Sequence, residues 1–322
     1  MPIVQPQKYK MPFWHLNGHL QTILPSIQRK VEGVVYQRER IELPDGDFFD
    51  FDWVKNGNER LVIVLHGLEG GTDRHYCKGI AKLFTENNWD FLGWNCRSCS
   101  GEINRLPRFY HHGDVKDVEV VLNEVNKHAY KEIAFVGFSM GGAISINTLG
   151  TSSLNLDKVI GAVAVSTPID LKTCSDELEK RSKRFYNQKF YKKLSAKVTA
   201  KTKVMSGIDD TLIQEGKINS LRDFDHYYTA PLHGFQSTDD FYYQASPERK
   251  INNIQKPVLL LNALNDPFLP KESYPFELAK ESKYLYLEAP KKGGHVGFCR
   301  DKEYYTYSEQ RSLEFLNNCS AF

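Results

Sequence analysis

The stretch Val136-Gly137-Phe138-Ser139-Met140-Gly141-Gly142-Ala143, entered through the apolar run Ile133-Ala134-Phe135, decides how the rest of the chain is read. It has the pattern of a buried strand that ends in a sharp turn and continues as a helix, with a serine at the apex. In such a turn the serine backbone is strained and its oxygen exposed. The residues two before and two after must be small so that strand and helix can approach. Gly137 and Gly141 meet that requirement. A helix starting at Met140 would point its free amides and positive dipole end toward Ser139, which favours an oxyanion formed during attack. A bare G-x-S-x-G match is weak, because glycine and serine are common; the flanking apolar run and helix supply the context. The competing reading is a structural glycine turn. A nucleophilic Ser139 needs a base, itself oriented by an acid, and in this arrangement they follow in the order serine, acid, histidine.

Upstream, residues 34–43 and 48–54 alternate polar and apolar around Pro44-Asp45-Gly46-Asp47 and read as a hairpin at a sheet edge. The continuous apolar run Leu61-Val62-Ile63-Val64-Leu65 reads as a strand covered on both faces. It leads into His66-Gly67-Leu68-Glu69-Gly70-Gly71, a glycine-rich turn that lets a backbone amide approach a ligand. The amides of Leu68 and Met140 are therefore the candidate oxyanion donors. A helix over 79–88, a strand over 89–94 and a long irregular loop over 97–114 follow. His111 and His112 lie in that loop and are read as fixing it, with substrate contact as the alternative. Val115, Val118, Leu122 and Val125 then fall at helical spacing behind Asp114 as a cap.

Beyond Ser139, residues 159–165 read as another buried strand, after which the strand–helix rhythm stops. No clean buried strand occurs over 171–251 before Pro257-Val258-Leu259-Leu260-Leu261 resumes the sheet. An insertion at this point of a doubly wound sheet lies above the strand C-terminal ends, so 171–251 is expected to be a helical cap over a core formed by 1–170 and 252–322. The resumed strand ends in Asn262-Ala263-Leu264-Asn265-Asp266-Pro267, which puts Asp266 at the sheet edge as the candidate acid, with Asp170 as its rival. A last strand over 284–288 precedes Lys291-Lys292-Gly293-Gly294-His295, and His295 is the candidate base. His226 and His233 fall in the insertion, and His75 comes too early in the order. A closing helix is expected over 304–316.

Forty-two basic against forty acidic residues give a net charge of +2, which points to no nucleic-acid partner. Cys96-x-x-Cys99 has no second pair, and His15 and His19, four apart, have no completing ligand, so no metal site is expected. A phosphate loop is missing and no cofactor is expected. Scattered cysteines and the lack of an opening apolar signal suggest a cytoplasmic location. Residues 180–203 hold ten basic residues and no acidic one, with Tyr186, Phe190, Leu194 and Val198 at four-residue steps. That stripe reads as a cap helix packed on its apolar side with lysines in water, or as a peripheral contact with an anionic membrane.

The chain resembles the YheT-like branch of the α/β-hydrolase superfamily, which includes EMB8-type plant proteins and animal abhydrolase-domain relatives. General elements of the resemblance are His66-Gly67-Leu68-Glu69-Gly70, Gly137-Phe138-Ser139-Met140-Gly141-Gly142 and Gly293-Gly294-His295. More specific to the branch are Asn17-Gly18-His19-Leu20-Gln21-Thr22, Ser100-Gly101-Glu102-Ile103-Asn104 and Tyr110-His111-His112-Gly113, in which His112 departs from the usual small residue. The resemblance implies an α/β-hydrolase fold, a mostly parallel eight-stranded sheet with helices on both faces, and a serine hydrolase of carboxylic esters, short, medium-chain or lipid-like. Acyl transfer to an alcohol, or a non-catalytic binding module on the same fold, are the alternatives.

Overall fold

Alternation within the central strands builds the molecule. The computed structural model describes residues 3–319. In β4 (Arg60–Leu65), side chains of Leu61, Ile63 and Leu65 enter one apolar cluster and those of Val62 and Val64 another. Successive strand side chains point to opposite faces, so a run without polar positions needs a layer on each side. One layer comes from α3 (Val115–Asn126) and α4 (Met140–Leu149), the other from α2 (His75–Thr85) and the closing helix Tyr307–Cys319.

The remaining strands are β1 (Ile3–Val4), β2 (Gln37–Glu42), β3 (Phe48–Val54), β5 (Asp90–Asn95), β6 (Glu132–Phe138), β7 (Val159–Val165), β8 (Val258–Leu261) and β9 (Leu285–Glu288). They form one sheet in the order β1-β9-β8-β7-β6-β4-β5-β3-β2. Pairing is parallel except at β2–β3 and β3–β5. The sheet is thus mostly parallel, as the sequence implies, but has nine strands rather than eight. The additional β1 is two residues long, too short to leave a periodic signal. The amino-terminal hairpin also differs in detail. Only β2 is an edge strand, whereas β3 is buried between β2 and β5, and its Asp50 and Asp52 are paired with Arg40 and Arg38 of β2 at 2.9 and 2.8 Å.

Between β7 and β8 the chain is helical: α5 (Leu171–Glu179), α6 (Arg184–Thr202), several single turns, the helix Thr238–Ala245 and the 3-10 segment Pro247–Asn253. No helix among the described residues is long and apolar enough to cross a membrane.

The loop after β5 is ordered by charge. Arg97 donates to both oxygens of Asp117 at 2.7 and 2.8 Å and to Asp47 at 2.7 Å, and all three side chains are nearly buried. Burial would raise the Asp47 carboxyl, but bonds from Asn104 and Arg97 outweigh it and hold it below the usual carboxylate range. Asp114, expected to cap α3 with its side chain, instead gives its carboxylate to Arg108 at 3.0 Å. Replacing Arg97 would leave two buried carboxylates unpaired, and breaking a buried pair from one side costs about 3–5 kcal/mol. Arg97→Met is therefore expected to lower the urea midpoint by that equivalent, and a change under about 1 kcal/mol would mean that water reaches the pair.

Candidate active site

Ser139 stands between β6 and α4 with φ 54° and ψ −116°, a left-handed conformation unusual for a residue with a side chain. A Cβ on Gly137 would lie 2.3 Å from the Gly141 carbonyl oxygen, and one on Gly141 would lie 2.1 Å from that of Leu65. Either side chain would push helix and strands apart, which is why the turn holds glycine at both positions. The Ser139 amide donates to Val165 at 2.8 Å, tying the apex to β7. Met140 is the first residue of α4, so its amide has no carbonyl four residues earlier within the helix.

The turn after β4 passes directly over this apex, and a Cβ on Gly67 would sit 3.3 Å from the Ser139 Cβ. Among the described residues the Leu68 amide donates to no protein acceptor. His66 fixes the turn: its Nδ1 bonds the Gly67 carbonyl at 2.8 Å, and its Nε2 accepts from the Cys96 amide at 3.1 Å. That pattern requires a proton on Nδ1 only, consistent with burial pulling His66 down to about 4. Among the described residues the Met140 amide likewise donates to no protein acceptor, and Leu68 and Ser139 line one cavity.

The structure brings Asp266 and His295 to the same point. His295 Nδ1 lies 2.8 Å from Asp266 Oδ2, and its Nε2 lies 3.0 Å from Ser139 Oγ. The other Asp266 oxygen, Oδ1, accepts the Phe268 amide at 2.8 Å, and the Phe268 ring stacks on the imidazole at 4.0 Å. A carboxylate at Nδ1 holds the proton there, leaving Nε2 to accept one from serine. Asp170 is elsewhere, accepting the Lys172 and Thr173 amides as the cap of α5. His226 contacts Thr238, and His233 bonds the Thr229 carbonyl. His111 packs among His233, Phe235 and Phe241, whereas His112 lines a cavity together with Ser139. Burial pulls His112 down to about 4, so it enters that wall uncharged.

α1 (Gly18–Gln28), which the sequence marks only through the stretch Asn17-Gly18-His19-Leu20-Gln21-Thr22, anchors the loops of both acid and base. Gln21 is fully buried, and its Oε1 accepts from the Gly293 amide at 2.9 Å and the Asn265 side chain at 2.8 Å. Thr22 Oγ1 accepts from the His295 amide at 2.8 Å. The available signal was an uncharged polar pair, Gln21-Thr22, set between the apolar residues Leu20 and Ile23.

The basic helix α6 packs on its apolar side, as the first of its two readings has it, but its lysines do not all lie in water. Its stripe of Tyr186, Leu194 and Val198 is buried against the protein, and Phe190 lines the cavities, so no apolar face of this stripe is turned outward to lipid. Several of its lysines turn inward too. Lys197 pairs with Glu69 at 2.8 Å, and Lys201, wholly buried, donates to the carbonyls of Leu106, Pro107 and Arg108. Burial pulls Lys201 down to about 7, partly opposed by Asp47.

Two cavities meet at Ser139 and His295. The first is walled mainly by apolar side chains, among them Leu68, Leu171, Leu178, Phe190, Leu221 and Phe241, with Ser175, Asp225 and Tyr242 as polar members beside His112, Ser139 and His295. Burial raises Asp225 to about 6, and its oxygens accept from Thr229 and Tyr242. The second, on the other side of Ser139, lies between α1, the 67–76 segment and α6 and is rich in charged groups. Among the described residues no group of three or more His, Cys, Asp or Glu side chains is disposed to hold a metal.

Comparison with known proteins agrees with this architecture. A family model of the alpha/beta hydrolase fold matches residues 60–300. The chain is 34% identical to YheT of Escherichia coli over 88% of this chain and 84% of that protein. It is 29% identical to Phospholipase ABHD3 of Homo sapiens over 92% of this chain and 75% of that one. Among solved structures, the esterase Pf2001 of Pyrococcus furiosus superposes with a TM-score of 0.58 at 17% identity, covering 97% of this chain and 98% of that one.

Proposed function

The chain belongs to the α/β-hydrolase family, in its YheT-like branch, and from that membership we propose that it is a serine hydrolase of carboxylic esters. The observation that carries this reading is the unbroken series from Asp266 through His295 to Ser139, with contacts of 2.8 and 3.0 Å, opening onto an apolar cavity. Ser139 Oγ attacks the ester carbonyl while His295 Nε2 takes its proton. The developing oxyanion meets the amides of Leu68 and Met140, donors that need no reorganisation because turn and helix already fix them. His295 returns the proton to the departing alkoxide. Water, activated by the same imidazole, then adds to the acyl carbon and frees the acid.

The apolar cavity would take the acyl chain, and the helical segment over 171–251 would act as its cap. Names among the relatives, phospholipase and esterase, are in keeping with an ester that has a hydrocarbon part. The charged cavity on the other side of Ser139 gives water a route to the acyl-enzyme, which favours hydrolysis over transfer to an alcohol.

A series of p-nitrophenyl esters tests the assignment. Each methylene buried is worth about 0.8 kcal/mol, or roughly fourfold, so kcat/KM is expected to rise with chain length until the cavity is filled and then to fall. A rate independent of chain length would remove the apolar cavity from the site.

A further inference from the structure

The two cavities that share Ser139 have walls of opposite character, and the cationic one is overbuilt for a neutral alcohol. Of its basic side chains, Arg29 is satisfied by both oxygens of Glu309. Glu69, one of its two lining carboxylates, is paired with Lys197 and accepts from Tyr110. Arg74, Lys189 and Lys193 remain, and among the described residues none of them has a carboxylate within ion-pair distance. Against these three cations stands a single lining carboxylate outside an ion pair, the exposed Asp73.

The cations are also gathered. Arg74 Nη2 and Lys193 Nζ both donate to the Glu69 carbonyl oxygen, each at 3.2 Å, so the two heads lie side by side next to the turn that carries the Leu68 amide. Burial, with Arg74, Lys189 and Lys197 adding repulsion and Glu69 partly opposing it, pulls Lys193 below its usual value. Arg74 is also the residue before α2, an eleven-residue helix whose first turn holds no acidic residue and whose N-terminus has no side-chain cap. Its first two residues, His75 and Tyr76, line the same cavity, which puts the positive end of the helix at that wall. Like charges held together without a counter-ion are costly, and an anion entering the cavity would relieve them.

We propose that this cavity is a subsite for a phosphate group on the leaving alcohol of the substrate, held by Arg74, Lys189 and Lys193. The inference rests on Ser139 being the nucleophile. An ester with one hydrocarbon half and one anionic half is sorted by its two solvation preferences: the acyl chain avoids the cations, and the anion avoids the apolar wall. The ester C–O bond breaks, His295 gives its proton to the alkoxide, and the anionic alcohol departs through the cationic cavity; water supplies the hydroxyl of the acid and restores the proton to Ser139.

The test compares hexanoylglycerol with hexanoylglycerol phosphate, identical in acyl chain and both presented as monomers, and long-chain phosphatidylglycerol in vesicles with diacylglycerol in the same vesicles. The readout is the ratio of kcat/KM, anionic over neutral, so that any general loss of activity cancels. The parent is expected to favour the anionic ester at least about tenfold at low salt, and added salt should erode the preference. In Lys189→Gln/Lys193→Gln the ratio should fall toward one, and in Lys189→Glu, at an exposed position, it should fall as well. A preference seen with monomers identifies a soluble phosphate ester, and one confined to vesicles identifies a lipid headgroup; both support the subsite. A ratio near one in both arms, in protein that still reacts with a fluorophosphonate at Ser139, overturns the subsite alone. Failure of that labelling in folded protein overturns the nucleophile on which it rests.

Discussion

Ser139→Ala is expected to lower kcat for ester hydrolysis on the order of 10⁴- to 10⁶-fold, the range seen when a triad nucleophile is removed. The size of the loss follows from the division of labour in the site. Without Oγ no acyl-enzyme can form, and the amides of Leu68 and Met140 can stabilise only the slow direct attack of water. The replacement keeps a Cβ on a backbone already held at φ 54° by β6, α4 and the bond from its amide to Val165. The fold should therefore survive, with a melting temperature close to the parent. Assay of a p-nitrophenyl ester beside a thermal melt separates the outcomes, and activity within tenfold of the parent would place the chemistry elsewhere.

Asp266→Asn should cost about 10³- to 10⁴-fold in kcat, for a reason specific to this site. Oδ1 of Asp266 accepts the Phe268 amide while Oδ2 faces His295 Nδ1. An asparagine can satisfy the Phe268 amide only with its oxygen, which turns its amide donors toward Nδ1. A donor at that position forces the imidazole proton onto Nε2, the nitrogen that must accept from Ser139. Packing is nearly conserved, so the loss should be in kcat rather than in stability. A loss below tenfold would mean that His295 is oriented mainly by the Phe268 stack and by Thr22.

Much of this site was legible because its parts sit at the ends of strands, and buried parallel strands write themselves as uninterrupted apolar runs. The runs ending at Leu65, Phe138 and Leu261, and the short strand ending at Glu288, place the Leu68 turn, Ser139, Asp266 and His295 on one edge, in the chain order this arrangement uses. A mostly parallel sheet follows from the same runs, while the family resemblance, carried by stretches such as Gly137-Phe138-Ser139-Met140-Gly141-Gly142, agrees with the comparisons.

What was not legible depends on partners distant in sequence. Gln21 anchors Gly293 and Asn265 across more than 240 positions, and no periodicity reports such a bond. The amphipathic pattern of α6 predicted which side is apolar, but not that Lys197 and Lys201 would meet Glu69 and the carbonyls of 106–108 instead of water. Composition flagged the loop over 97–114 as irregular, yet its order comes from Arg97 and Asn104 converging on Asp47, a residue of the hairpin turn. A two-residue strand such as β1 exists only because β9 offers it an edge.

The most direct measurement is labelling of the intact protein with a fluorophosphonate, followed by mass spectrometry of its peptides. A Ser139 activated by His295 should take up close to one equivalent, the adduct should map to the peptide containing Ser139, and labelling should vanish in Ser139→Ala and slow strongly in His295→Ala. No adduct on the folded parent, or an adduct on another residue, would contradict the assignment of Ser139 as the nucleophile.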